Sequence, residues 1–136
     1  MEHKRLFLID AMAMVYRAFF AFSCNPRYNS QRLNTSAIFG FTNNLLDLLK
    51  NEKPSHIAVA FDLAAPTFRH IEYKAYKAQR EAMPEDLSLA IPYVKKIIEG
   101  FNIPVVCHEG YEADDIIGTL ALQAEKLGYT VYMVTP

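Results

Sequence analysis

The chain of 136 residues contains only two cysteines, Cys24 and Cys107, which lie far apart and form no CxxC pattern. This spacing excludes a disulfide framework and gives no sign of a zinc site. Two isolated cysteines are typical of reduced thiols in a cytoplasmic protein, and we expect that location here.

Long hydrophobic runs are also missing. No apolar stretch approaches the roughly 18 residues that a membrane span requires. The run at residues 6–9, behind a basic N-terminus, ends at Asp10 and is too short for a signal-peptide core. The turn after this run, IDAMAM, carries neither GxGxxG nor GxxxxGK. The absence of both glycine-rich motifs argues against a nucleotide-binding Rossmann-like domain.

The sequence has no large excess of positive or negative charge: its net charge is −1 and its pI is near 6.4. The chain as a whole therefore does not attract nucleic acid or an anionic membrane, and any polyanion must bind a local basic patch. Hydrophobic residues make up 51% of the sequence, which favours one globular domain with a real core over disorder.

Four short apolar runs alternate with helical patterns along the whole chain. This alternation predicts an α/β fold of three layers, with a mostly parallel sheet covered by helices on both faces. Ligands bind such sheets at the carboxyl ends of the strands. The predicted strands cover residues 6–9, 56–61, 104–107 and 130–135, and the predicted helices cover residues 12–22, 35–50, 84–101 and 112–127. Asn34 or Thr35 is expected to cap the second helix, whose apolar face comprises Ile38, Phe41, Leu45 and Leu48 or Leu49.

Acidic residues follow three of the predicted strands and should meet at one edge of the sheet. They are Asp10, Asp62, Glu112, Asp114 and Asp115. Carboxylates gathered in this way repel one another unless cations neutralise them, and all-oxygen ligands favour Mg²⁺ or Mn²⁺. Two such ions would suit phosphodiester hydrolysis. Each acid alone also fits a helix cap or turn, and it is their coincidence at three strand ends that favours the metal site.

A basic and aromatic stretch lies between Asp62 and Pro84. It contains Phe68, Arg69, His70, Tyr73, Lys74, Tyr76, Lys77 and Arg80. In a helix, several of these cations would lie beside an aromatic ring, an arrangement that holds phosphates and stacks on unpaired bases. A solvated helix face with half-buried tyrosines explains the same pattern. Arg17 is an isolated cation that on sequence alone reads as a surface residue.

The chain contains, in this order, the segments LFLIDAMAMVYRAFFAF, LNTSAIFGF, HIAVAFD, PTFRHIEYKAYKAQREAMPED and GYEADDIIGTLA. Together they resemble the 5′→3′ exonuclease domain at the N-terminus of bacterial DNA polymerase I, within the flap-endonuclease and PIN-like superfamily. The resemblance covers essentially the whole chain, and YKAQR and GYEADD are its most specific parts. It implies a resolvase-like fold and a metal-dependent hydrolase that acts on DNA with 5′ ends or flaps and on RNA–DNA primer junctions.

The resemblance also implies roles for individual residues. The five acids would bind two Mg²⁺ or Mn²⁺ ions. Lys77 and Arg80 would be catalytic residues in a helical arch at about residues 68–84 and would contact the phosphate to be cut. Tyr76 would stack on the DNA, and Arg17 would contact the strand near the metals. Arg69, in the same basic stretch, is also expected to bind DNA.

The chain departs from the family pattern at two places. Ala11 stands where the family commonly has glycine after the first aspartate. The sequence also stops at Thr135-Pro136, where the family continues with an Asp-x-Asp pair, a helix-hairpin-helix and further aspartates. We therefore expect an N-terminal fragment, incomplete at its C-terminus, with little nuclease activity and a polymerase domain downstream in the parent protein. The alternative is a non-catalytic nucleic-acid-binding module, which would bind DNA without regard to metals or to the acids.

Overall fold

The computed structural model describes residues 3–62, 71–72, 75, 77 and 83–135. Strands and helices alternate along these residues. In chain order they are β1 (Arg5–Asp10), α1 (Ala11–Ala21), α2 (Ser36–Glu52), β2 (His56–Ala60), α3 (Glu85–Gly100), β3 (Val105–Val106), α4 (Ala113–Lys126) and β4 (Thr130–Val134). Each corresponds to a predicted element, with shifts of a few residues at the ends. No helix within this part of the chain is long and apolar enough to cross a membrane.

The four strands form one parallel sheet in the order β3-β2-β1-β4. β1 lies inside the sheet and pairs with β2 on one side and β4 on the other. Leu8 and Ile9 of β1 are 1% and 0% exposed, as expected for a strand covered on both faces. The predicted parallel α/β architecture is confirmed.

The hydrophobic core lies in two layers, one on each face of the sheet. The larger layer contains Ile9 and Val59 from the sheet and packs against α1, α2 and α3. The smaller layer contains Leu8 and Ala60 and packs against α4. Consecutive residues of β1 therefore face opposite layers, because side chains alternate along a strand.

The apolar face of α2 was predicted correctly. Phe41 and Leu45 are fully buried, and Ile38 and Leu49 pack against the same layer. The chain enters this helix through Asn34, whose Oδ1 accepts a hydrogen bond from the Ser36 backbone N–H at 3.0 Å. Thr35 occupies the N-cap position, but its side chain makes no cap hydrogen bond.

Arg5 fastens the amino edge of the sheet. Its guanidinium donates to the backbone carbonyl of Glu52 at 2.7 Å and pairs with the Glu52 carboxylate at 3.3 Å. The same group lies 5.2 Å from the ring centres of Phe7 and Tyr132, which stack on each other. The Arg5 backbone also exchanges hydrogen bonds with the Ser55 hydroxyl. β1, β4, the end of α2 and the start of β2 are thereby joined at one place.

Both faces of the sheet carry a packed layer, as predicted, but β4 is only partly covered. Tyr132 and Met133 are 41% and 58% exposed, although they point to opposite faces of the sheet. β4 has β1 as its one partner among the described strands and so forms an edge of the sheet. An apolar run of this kind cannot tell an edge strand from an interior one, since both read as hydrophobic throughout.

Two helical glycines should respond in opposite ways to alanine. A Cβ at Gly40 would lie 2.7 Å from the Cβ of Ala18, where α1 and α2 cross, whereas a Cβ at Gly118 in α4 meets nothing within 4 Å. We expect Gly40→Ala to lower the free energy of unfolding by about 1–3 kcal/mol through overpacking. Gly118→Ala should raise it by about 0.4–1 kcal/mol, because alanine restricts the unfolded chain and favours helix. Urea denaturation of both variants checks this, and stabilisation by Gly40→Ala would show that the crossing is not tight.

Candidate metal centre at the carboxyl edge of the sheet

Asp10 joins the central strand directly to a helix. It is the last residue of β1 and the N-cap of α1, and its Oδ1 accepts a hydrogen bond from the Ala13 N–H at 3.3 Å. Its backbone has φ −82° and ψ 99°. Ala11 then begins the helix and is fully buried. This junction therefore does not need the conformational freedom of glycine, and the departure from the family pattern at Ala11 is accommodated.

Asp62 connects the end of β2 to the start of α4. Its Oδ1 accepts a hydrogen bond from the Ala113 backbone N–H at 2.7 Å. The first N–H groups of a helix have no partner within the helix and carry a partial positive charge, so a carboxylate is favourable there. The contact brings two residues 51 positions apart in the sequence to the same edge of the sheet.

Asp114, in the first turn of α4, lies against Asp10. The pKa of Asp10 is raised above its ordinary value, mainly because burial disfavours the charged carboxylate. The negative charges of Asp114 and Asp62 and a hydrogen bond with Asp114 raise it further, and the Ala13 N–H partly offsets these effects. Carboxylates from three separate segments of the chain therefore share one electrostatic environment.

Glu112 and Asp115 take part in the start of α4. They form a capping box, in which the Asp115 carboxylate accepts a hydrogen bond from the Glu112 N–H at 2.9 Å. The Glu112 carboxylate also pairs with Lys77, with Oε1 and Nζ 2.9 Å apart. Lys77 is thus placed at the acidic edge, as a residue that contacts a phosphate there would need to be.

The donor set at this edge suits a hard cation. Its side chains offer carboxylate oxygens, the ligands that Mg²⁺ and Mn²⁺ prefer. In the present geometry, no three His, Cys, Asp or Glu side chains within the described ranges converge closely enough to hold an ion. Asp62 and Asp115 are turned toward backbone N–H groups, and Glu112 is turned toward Lys77. These acids would have to exchange their present partners for a metal in order to coordinate one.

Of the other predicted site residues, Arg17 lies further from the acidic edge and the rest lie outside the described residues. Arg17 is exposed on α1, seven residues beyond Asp10 and so about 10 Å further along the helix axis. Arg69, Tyr76 and Arg80, with most of the predicted arch at about residues 68–84, lie outside the described residues.

Two features of this edge were missed by the sequence interpretation. One is the ion pair between Lys77 and Glu112, because nothing in the sequence links positions so far apart. The other is Lys95, whose Nζ lies 5.0 Å from the ring centre of Phe61, the residue just before Asp62. Lys95 stands in the middle of α3 and belongs to no motif, so the sequence offers no signal for it.

Fold and site together define a class: α/β domains that carry an acidic centre at the carboxyl edge of a parallel sheet. Within this class, a family model described as the 5′-3′ exonuclease, N-terminal resolvase-like domain, matches residues 5–136. The chain belongs to this family. The resemblance seen in the sequence motifs is confirmed.

Close relatives in sequence include two bacterial DNA polymerases I. That of Caldicellulosiruptor bescii is 44% identical over 131 residues, which cover 96% of this chain and 15% of the relative. That of Bacillus subtilis is 43% identical over 130 residues, which cover 96% of this chain and 14% of the relative. The chain therefore spans about one seventh of the length of these relatives.

Solved structures of a bacteriophage T5 enzyme share the fold. The T5 5′-exonuclease with bound zinc has a TM-score of 0.65 at 18% identity, covering 97% of this chain and 49% of that one. The T5 flap endonuclease in a complex with DNA and metal ions has a TM-score of 0.63 at 18% identity, covering 97% of this chain and 48% of that one. This likeness confirms the predicted fold.

Proposed function

We propose that this chain supplies the metal-binding part of a 5′ nuclease domain, which hydrolyses phosphodiester bonds near the 5′ ends of DNA, including flaps and primer junctions, with Mg²⁺ or Mn²⁺. The observation that carries the proposal is the meeting of Asp10, Asp62 and Asp114 at one edge of the sheet. The family supports the reaction, and the name of the relatives, DNA polymerase I, supports DNA as substrate and a polymerase domain downstream in the parent protein.

The proposed metal ligands are the five acids of the carboxyl edge. Asp10 lies against Asp114 and near Asp62, and Glu112 and Asp115 flank Ala113 and Asp114 in the sequence. When bound, two divalent ions at such a centre lower the pKa of the attacking water and stabilise the charge that develops on the phosphate. The chain's own contribution is to bring carboxylates from separate segments to one edge of the sheet.

Cations near this edge would position the DNA strand. Lys77 is held beside Glu112 and can supply a positive charge to a phosphate oxygen at the acidic edge. Arg80, Arg69 and Tyr76 are proposed as further contacts on the strength of the sequence motif, and Arg17 as a contact further along α1. Together they would supply the local positive charge that the overall composition of the chain lacks.

The proposal predicts that DNA binding at this edge depends on metal. Clustered carboxylates repel a phosphate backbone, and divalent ions reverse the sign of the local charge. A fluorescent 5′-flap DNA should therefore bind the chain in Mn²⁺ and lose roughly tenfold or more in affinity in EDTA. Fluorescence anisotropy with the double variant Asp10→Ala, Asp114→Ala should show the same loss even in Mn²⁺.

The cleavage assay completes this test. A form extended by the downstream region of the parent protein should cut the flap in Mg²⁺, and the same form with Asp10→Ala should not. Binding that ignores both EDTA and the double substitution, with no cleavage by the extended form, would instead favour a non-catalytic nucleic-acid-binding module.

A further inference from the structure

The ion pair between Lys77 and Glu112 lies at the acidic edge of the sheet. Lys77 belongs to the segment between β2 and α3, whereas Glu112 is the N-cap of α4. Their Nζ and Oε1 atoms lie 2.9 Å apart, and the two side chains are 30% and 12% exposed. Solvent and salt screen such a shielded pair less than they screen a pair on the open surface. The ammonium and any divalent cation bound at this edge would therefore draw on the same carboxylate.

The backbone of Glu112 is fixed at this edge. Its backbone N–H donates to the Asp115 carboxylate, and its position as N-cap fixes it one residue from Ala113. The Ala113 N–H in turn binds Asp62, and Asp62 lies in the electrostatic environment of Asp10. The ammonium that pairs with Glu112 therefore lies near the carboxylates that a divalent cation would bind, and two positive charges there would repel each other.

We infer that Lys77 is displaced from Glu112 when a divalent cation binds the acidic edge. Before metal binds, the ammonium neutralises Glu112, whose carboxylate also takes part in the capping box of α4. Metal binding frees the ammonium to hold a substrate phosphate, so that the phosphate-binding cation becomes available together with the metal. The inference rests on the proposed function, because it assumes that these acids bind metal.

The coupling must act in both directions, since a metal that releases Lys77 is itself opposed by Lys77. Lys77→Met removes the charge and keeps the aliphatic stem, so Mn²⁺ should bind this variant on the order of fivefold more tightly. Lys77→Arg keeps the charge and should bind Mn²⁺ like the wild type. Lys50→Met, at an exposed position near the end of α2, is the matched control and should change the affinity less than about twofold. Titration calorimetry measures all four.

A double-variant cycle shows whether the effect passes through Glu112. In a Glu112→Gln background, which weakens Mn²⁺ binding, the further change Lys77→Met should no longer tighten it, because the charged pair is already broken. An equal gain in both backgrounds would show that Lys77 acts only as a distant charge, and the inference would fall.

Amine labelling gives a readout that needs neither variants nor activity. The wild-type chain is pulsed with an acetylating reagent at increasing Mn²⁺, and the labelling of each lysine is measured by mass spectrometry. Lys77 should become several-fold more reactive at saturation, and Lys50 should not change. Unchanged or reduced labelling of Lys77 in a chain that binds Mn²⁺ overturns this inference and leaves the proposed function standing. Absence of Mn²⁺ binding overturns both.

Discussion

Replacing Asp10 by asparagine is expected to weaken Mn²⁺ binding by at least about 100-fold while it stabilises the metal-free protein by about 0.5–2 kcal/mol. The two effects have one cause. Asp10 is held half-buried against Asp114 and near Asp62, an arrangement that favours a bound cation and disfavours the bare carboxylate. Asparagine caps a helix as well as aspartate does, so the hydrogen bond from Ala13 is kept.

The pH dependence of this stabilisation follows from the raised pKa of Asp10. Because the folded protein holds the proton more tightly than the unfolded chain does, the contribution of Asp10 to stability is fully present below the unfolded pKa of about 4. It is lost as the pH rises through the higher pKa of the folded state. The advantage of Asp10→Asn should therefore be largest at neutral pH and should vanish below about pH 4.

Urea denaturation in EDTA and calorimetric titration with Mn²⁺ measure the two effects separately. Asp47→Asn is the matched control, because Asp47 is exposed on α2, and it should change neither quantity appreciably. A destabilised Asp10→Asn variant would mean that the charge of Asp10 is needed for the fold, and an unchanged Mn²⁺ affinity would remove Asp10 from the proposed ligands.

Truncation of Leu45 should cost about 2–5 kcal/mol of unfolding free energy, the largest stability loss expected from a single change considered for this chain. Leu45 is fully buried in the larger core layer, where α2 packs on the sheet. Leu45→Ala removes the two terminal methyl groups and the methine that carries them. It leaves a cavity whose walls, set by the sheet and by helices on the same face, can relax only partly. A loss of this size is a large share of the stability of a small domain.

Leu122→Ala provides a control of identical chemistry. Leu122 is 62% exposed on α4, so the same truncation there should stay within about 0.5 kcal/mol of the wild type. Thermal and urea denaturation of the two variants should differ clearly, and a similar small effect for both would mean that α2 is not firmly packed. The pair also calibrates the metal experiments, since it shows how Mn²⁺ affinity changes when only the fold is weakened.

The sheet and its acidic edge were predictable because local and global signals agree there. β1 is apolar and ends in Asp10, and Asp62 lies two residues beyond the end of β2, so the parallel arrangement brings both acids to one side. Asp114 joins them because it stands in the first turn of α4, where acidic residues are also favoured by the helix dipole. The acidic residues that mark the predicted site in the sequence are thus also the residues that favour the start of α4.

What the sequence could not show is how each acid is used in the folded chain. Glu112, Asp114 and Asp115 are all acidic and stand within four residues of one another. In the structure Asp114 faces Asp10, whereas Glu112 and Asp115 form the capping box at the start of α4. The pairing of Lys77 with Glu112 depends on tertiary contacts that leave no mark on local periodicity. The exposure of β4 likewise depends on its position in the sheet order, which hydrophobicity does not encode.

The fastening of the sheet by Arg5 gives the two ends of the strands different tasks. At the amino end, one guanidinium joins two strands and a helix through hydrogen bonds and stacked rings. At the opposite end, like charges face one another and oppose close packing. Local unfolding should therefore begin at the acidic edge and become rarer along each strand toward Arg5. The protein can then rearrange where it meets a ligand while the amino end of the sheet stays folded.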